Sequence, residues 1–347
     1  MPVIPSLMER TYMLRLNRGP GPMLDLFGGM ALEAAMTAGD LGVFEALAEQ
    51  PATPATLADR LEVSEAGMAV LLSFLSTAGY VTEEDGRYRP TRMTTTWFRE
   101  SSPRSYQRYF RFWRAVLFPF WRDHARAAFE AGEPPRSVYD WLDDHPELWP
   151  VAQDAFELTA DLIGDDVAAE VDVPAGGRLL DVGGGHARYS VAFCEANPTL
   201  SATVLDAPEI AALARETVAD AGLEDRVEFR AADYESDPLG EGYDAALLFN
   251  VIHGNDPATN RALVEQIADA TTDDGTLAVL DHFGDRSRPS IVETGTRFLD
   301  LTYFVSLGGR TYETATVEDW LADAGFEVTD ARTFRDRNAT LLVAEKV

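Results

Sequence analysis

The chain contains one lysine, Lys346, and one cysteine, Cys194. A single thiol excludes intramolecular disulfides and cysteine-built zinc sites, and it fits a reducing, cytoplasmic setting. No apolar run approaches the ~18 residues a membrane span requires, so no membrane partner is expected. The first residues, Met1-Pro2-Val3-Ile4-Pro5, lack a basic stretch followed by an apolar block, so no secretory leader is expected. Basic charge is scarce altogether: 29 lysines and arginines face 58 aspartates and glutamates, a formal net charge of −29. Such a surface repels phosphate backbones and anionic lipid, which argues against a nucleic-acid partner. Acidity on this scale with so little lysine looks like the surface of proteins from salt-accumulating halophiles.

Hydrophobic residues make up 46% of the 347, enough for two cores. The pattern separates residues 1–100, which read as helices and a small hairpin, a helical connector over 101–144, and an α/β region over 145–347. In the first region Thr53-Pro54 starts a helix as cap and first residue. Ser64 caps a second helix carrying Met68, Leu71, Leu72 and Leu75 on one face, and Gly79 stops it. A hairpin turning at Glu83-Glu84-Asp85-Gly86 completes a winged helix. Between Arg60 and Arg87 there is no basic residue, so the motif does not suit DNA. Association through the apolar helix around Leu24, Leu26, Phe27, Met30 and Ala34 suits it better. The connector places Tyr106, Phe110, Trp113, Leu117 and Trp121 at helical spacing, with Arg104, Arg108, Arg111, Arg122 and Arg126 largely on another side; Pro119 is expected to kink it. That stripe reads either as core or as one wall of a substrate pocket.

From Arg178 an apolar strand runs into Asp181-Val182-Gly183-Gly184-Gly185, and a helix follows. Gly183 and Gly185 let backbone approach a ligand without a Cβ in the way, and the helix N-terminus points its amides there. A second strand ends in Asp206, about 20 residues on, where an acid can hold two ribose hydroxyls. This pair fits NAD as well as S-adenosyl-L-methionine. Two details favour the methyl donor: Asp181 would repel a pyrophosphate but accept from a cationic amino-acid end, and Arg188 replaces the last glycine of the dinucleotide pattern. A third strand leads to Asp233-Tyr234, an acid beside an aromatic, suited to an adenine ring. Asn250, where the next strand ends, joins this cofactor-binding group.

These blocks resemble the plant and bacterial small-molecule O-methyltransferases, the family of caffeic acid and hydroxyindole O-methyltransferases. The likeness is carried by Leu180-Asp181-Val182-Gly183-Gly184-Gly185, Leu205-Asp206-Ala207-Pro208, Ala232-Asp233-Tyr234, Val251-Ile252-His253, Asp274-Gly275-Thr276-Leu277 and Ala324-Gly325-Phe326, and spans nearly the whole chain. It implies an α/β fold class: an N-terminal helical winged-helix dimerisation domain ahead of a Rossmann-like class I methyltransferase domain. It also implies a homodimer, S-adenosyl-L-methionine as cofactor, no metal, and a small-molecule acceptor with an aromatic or enolic hydroxyl.

In the resembled enzymes the histidine at position 253 is the general base, which suits a group that titrates near neutrality. Asp281, 28 residues on, falls where the family keeps the carboxylate that orients it. A third acid belongs to a glycine-glycine stretch, here Gly308-Gly309-Arg310-Thr311-Tyr312-Glu313, and Glu313 is its candidate. The chain departs from the family in two places: Gly254-Asn255 replaces an Asp-Trp pair, and about three extra residues precede Trp320. Some relatives on this fold methylate carbon or lack the base, so C-methylation and a non-catalytic donor-binding regulator stay open. The pocket is expected to draw on Phe110, Trp113, Trp149, Phe156, Phe298 and Tyr303.

Overall fold

The structure, a computed structural model, describes residues 6–285, 290–334 and 338–347. The chain divides into two compact units, Met1–Ala115 and Val116–Val347. The division falls inside the stretch read as a connector, so residues 101–115 fold with the first unit and 116–144 with the second.

The first unit begins with α1 (Leu7–Arg10), a π-helical turn (Thr11–Arg15), α2 (Met23–Asp40) and α3 (Val43–Glu49). Next come α4 (Pro54–Leu61), α5 (Glu65–Thr77), β1 (Val81–Glu84), β2 (Arg87–Pro90), α6 (Arg92–Trp97) and α7 (Gln107–Phe112). Thr53 and Ser64 cap α4 and α5 by accepting from Thr56 N–H and Gly67 N–H, closing donors the helices leave open. Asp85 and Gly86 both take left-handed backbone (φ 52° and 73°), so the hairpin closes on these two residues, tighter than the expected turn over 83–86. Helix, helix and hairpin form the winged helix, and its Arg89 pairs with Glu84 at 3.4 Å. Ala31, Ala35, Met36, Phe44, Leu57 and Leu72 fill the core.

The second unit carries α8 (Phe118–Ala131), α9 (Val138–Asp143) and α10 (Trp149–Ala168) ahead of its sheet. Pro119 sits in the first turn of α8, where its missing N–H is not needed. A π-helical turn over Trp113–Leu117 stands where a kink was expected. Then follow β3 (Arg178–Val182), α11 (Arg188–Ala196), β4 (Ser201–Asp206), α12 (Ala211–Asp220), β5 (Val227–Ala231), β6 (Tyr243–Phe249), α13 (Pro257–Ala270) and β7 (Thr271–Asp281). The chain closes with α14 (Ser290–Leu307), α15 (Thr314–Asp323), β8 (Phe326–Phe334) and β9 (Ala339–Lys346). The strands β3 and β6 are nearly all buried, as expected where helices cover both faces of a parallel sheet.

The sheet order is β5-β4-β3-β6-β7-β9-β8, with β9 antiparallel between β7 and β8. Strand order reverses between β3 and β6, and α/β sheets bind ligands at the carboxyl ends of strands beside such a reversal. Asp181 lies in β3, Asp206 ends β4, Asn250 follows β6 and Asp281 ends β7. The topology therefore gathers four polar residues, distant in sequence, along one edge. Lys346, the one lysine, donates to the carbonyls of Ala268 and Thr271 at 2.6 and 3.0 Å and closes the C-terminus of α13.

Candidate active site

The glycine turn leaves β3 under tight steric limits. A Cβ on Gly183 would stand 2.6 Å from Val251 Cγ2, and one on Gly184 would stand 2.5 Å from Asp181 Cγ. Gly183, Gly185 and Ala187 all adopt left-handed backbone. Gly183 N–H donates to Leu205 O at 2.8 Å, and Gly185 N–H donates to Asp206 Oδ2 at 2.8 Å. Asp206 also accepts from Ala207 N–H at 2.7 Å, so this carboxylate ties the end of β4 to the turn. Burial raises its pKa, and the two N–H donors pull against that.

Asp181 is 1% exposed beneath the turn and accepts the Ser190 hydroxyl at 2.7 Å. Burial pushes its carboxyl up to about 7, with Asp206 adding to the rise and Ser190 opposing it. Tyr234 borders the turn, its ring edge 3.7 Å from where a Gly183 Cβ would stand, and burial raises its phenol. Asp233, by contrast, is exposed; it accepts from Glu235 N–H and Ser236 Oγ at 2.9 and 2.8 Å within its own turn. Asn250 takes left-handed backbone (φ 59°) and donates its N–H to Leu280 O at 2.8 Å, pinning the end of β6 to β7.

Tyr139 on α9 also belongs to this edge, although nothing in the sequence marks it. Burial pushes its hydroxyl up to about 12, with the Asp206 charge adding, yet 44% of the residue stays reachable. Trp149 stacks on it at 6.3 Å with planes 4° apart, and Phe156 meets it edge-on at 6.3 Å. Phe110, another expected pocket aromatic, stacks instead on Phe98 of the first unit's core (5.1 Å), and Trp113 is buried.

The strand β6 leads into a short 3-10 turn, Ile252–Gly254. There His253 Nδ1 lies 2.8 Å from Asp281 Oδ1 and 3.1 Å from Oδ2. Asp281, 1% exposed, also accepts from His253 N–H (3.3 Å) and His282 N–H (2.7 Å). Burial alone would raise its pKa, but the His253 ring and these donors outweigh it and hold the carboxyl below its ordinary value. A carboxylate only accepts, so Nδ1 is the donor, and Nε2 carries the lone pair. Tyr303 of α14 stacks on the imidazole at 3.9 Å with planes 15° apart.

A buried amide network fixes this turn from below. Asn260 donates to Ile252 O (2.9 Å), Asn255 donates to Asn260 Oδ1 (3.2 Å), and Tyr312 Oη donates to Asn255 O (2.6 Å). Arg310 N–H donates to His253 O at 3.0 Å, and a Cβ on Gly309 would stand 1.9 Å from that oxygen. Gly309 and Arg310 of the expected acid stretch thus meet His253 through backbone. Glu313 does not join them: it is the exposed N-cap residue of α15, and no hydrogen bond or ion pair links it to His253 among the described residues. Among the described residues no cluster of three or more His, Cys, Asp or Glu could hold a metal, and no helix is long and apolar enough to cross a membrane.

Comparison with known proteins agrees with this architecture. Residues 127–327 match the O-methyltransferase domain, and residues 24–100 match the O-methyltransferase dimerisation domain. The chain is 30% identical over 333 residues to 3-hydroxy-5-methyl-1-naphthoate 3-O-methyltransferase of Streptomyces sahachiroi, covering 91% of each chain. It is 27% identical over 316 residues to L-tyrosine C(3)-methyltransferase of Streptomyces lavendulae, covering 87% of this chain and 85% of that one. The solved structure of the mitomycin 7-O-methyltransferase MmcR shares the fold, with a TM-score of 0.80 at 24% identity over 96% of this chain and 99% of that one. The chain belongs to the O-methyltransferase family, as a class I, S-adenosyl-L-methionine-dependent enzyme with a helical dimerisation domain ahead of a Rossmann-like catalytic domain.

Proposed function

We propose that the acceptor is a small aromatic molecule with a phenolic or enolic hydroxyl, that His253 is the general base, and that Asp281 orients it. The observation that carries this reading is the 2.8 Å contact from Nδ1 to Asp281, which leaves the Nε2 lone pair for an acceptor hydroxyl. The hydroxyl proton passes to Nε2, the oxygen gains the methyl group, and Asp281 balances the imidazolium until its proton leaves to water. S-adenosyl-L-methionine, when bound, would supply the methyl, its sulfonium S–CH3 bond breaking to leave neutral-sulfur S-adenosylhomocysteine.

The crevice fits that donor. Gly183 and Gly185 offer bare backbone, and Asp206 keeps lone pairs beyond those used on Gly185 and Ala207 for ribose hydroxyls. Tyr234, near enough to Tyr139 for the two phenols to influence each other, provides flat apolar surface for adenine, and the exposed Asp233 can accept from its amino group. Asp181 is the carboxylate for the cationic amino-acid end, and Asn250 lies beside it at the strand edge. The exposure of Glu313 speaks against it as a third catalytic acid.

The enzyme acts as a cytoplasmic homodimer in this reading. Support comes from the first unit, where Leu7, Met8, Leu14, Leu26 and Met30 are exposed on helices of a strongly acidic chain. Carbon methylation is the second reading, favoured by the tyrosine C(3)-methylating relative. Loss of a phenol proton also activates the ring carbon beside it, so the same base serves both. A panel of hydroxynaphthoates, catechols and tyrosine, incubated with methyl-labelled donor, separates them. Label on oxygen is expected; label on a ring carbon would overturn the O-methylation reading.

A further inference from the structure

His253 is held by more than its hydrogen bond to Asp281. That bond fixes Nδ1, but a single bond lets an imidazole tilt about its own axis, and proton transfer to Nε2 requires the lone pair in the ring plane to face the acceptor. The stacked Tyr303 ring, 3.9 Å away and 15° from parallel, supplies the missing restraint. It covers one face of the imidazole and leaves the edge.

The support behind Tyr303 is continuous with the support behind the base. Asp300, on the same helix α14, accepts the N–H and hydroxyl of Thr311 at 2.8 and 2.9 Å. Next to Thr311, Arg310 N–H holds the carbonyl of His253, with Gly309 packed against that carbonyl. Ring and base therefore rest on one frame. An electron-rich phenol face also attracts the cation that forms when Nε2 takes a proton. His282, whose ring runs 25° from that of Tyr303 at 6.4 Å, does not compete for that role. Its Nδ1 donates to Asn338 O at 2.7 Å, and burial lowers its pKa.

We propose that Tyr303 is a positioning residue for methyl transfer: its ring holds the His253 imidazole in the plane that presents Nε2 to the acceptor and steadies the imidazolium formed there. The inference rests on the reading of His253 as base and adds a residue to it. The hydroxyl of Tyr303 is not required, only its ring.

The test uses Tyr303→Phe and Tyr303→Leu, each alone and combined with His253→Ala. The chain has five histidines, so histidine-selective isotope labelling gives few ring signals, and the one lost in His253→Ala identifies its own. In the full-length protein with S-adenosyl-L-methionine, the His253 ring protons should be shifted upfield by the stacked phenol. Tyr303→Phe should keep that shift and Tyr303→Leu should abolish it. With an acceptor from the hydroxynaphthoate panel, Tyr303→Leu should lower kcat about tenfold and leave donor affinity unchanged, while Tyr303→Phe restores most of the rate. In the His253→Ala background Tyr303→Leu should cost nothing further, because the two act as one unit. Unmoved His253 resonances in Tyr303→Leu, or a loss that persists without His253 and raises the acceptor KM, would overturn the proposal and make Tyr303 an acceptor contact. Turnover retained by His253→Ala would instead remove the base reading, and the ring shift would still report whether Tyr303 holds the imidazole.

Discussion

Asp181 and Asp281 are the same residue type in parallel strands of one sheet, each 1% exposed, yet their carboxyls move in opposite directions. Asp181 is pushed up to about 7, whereas Asp281 is held below its ordinary value. Burial acts on both alike. Asp281 has His253, a cationic partner when protonated, and two backbone N–H donors, while Asp181 has only the hydroxyl and backbone N–H of Ser190 and the unfavourable charge of Asp206 nearby. Satisfaction, not depth, decides the charge of a buried acid.

The contrast divides the crevice by function. At the His253 end the polar groups are already matched, as the proposed base would require to keep one geometry through every turnover. At the glycine turn the protein leaves a buried carboxyl short of donors, and S-adenosyl-L-methionine brings a cationic group that can complete it. On the proposed reading the sheet edge holds one finished half and one half that the donor finishes.

The largest effect on the donor half is expected at Asp206. Asp206→Ala removes both the proposed ribose acceptor and the ties to Gly185 and Ala207, and should weaken donor binding by about 1–3 kcal/mol in calorimetry. Unchanged affinity would place the ribose elsewhere. Asp181→Asn should do something less intuitive: weaken donor binding while stabilising the protein without donor at pH 8. The sign follows from linkage. A folded carboxyl near 7 against about 3.9 unfolded makes the folded state bind more protons between those values, so its stability falls as pH rises through that window and levels off above it. The melting temperature of Asp181→Asn should therefore exceed that of wild type by more at pH 8 than at pH 5. A gap that shrinks toward pH 8 would mean Asp181 is satisfied as the anion.

Much of the site could be read from the sequence because its signals are local. The Thr53-Pro54 and Ser64 starts, the strand before Gly183, and the acid after β4 each depend on a few neighbouring residues. The pairing of His253 with Asp281 was implied by the family resemblance, which keeps a carboxylate 28 residues after the histidine. What stayed hidden depends on packing across the fold. Tyr139 reaches the cofactor edge from a helix outside the sheet, and the Asn255–Asn260–Tyr312 network joins residues whose amides and hydroxyl look like ordinary surface polarity. The position of β9 between β7 and β8 is a matter of strand pairing, which local periodicity does not encode. Glu313 was picked out by its place after a glycine-glycine stretch, whereas its setting as the exposed N-cap residue of α15 depends on where that helix starts.

The difference between the two buried acids is tested most directly by counting protons when S-adenosyl-L-methionine binds. Calorimetry at pH 7 in buffers of different ionisation enthalpy gives that count. Wild type should release a fraction of a proton as the cationic donor drives Asp181 to its anion, and Asp181→Asn should release markedly less. Equal release from the two proteins, or none from wild type, would contradict the claim that the donor completes an unfinished carboxyl.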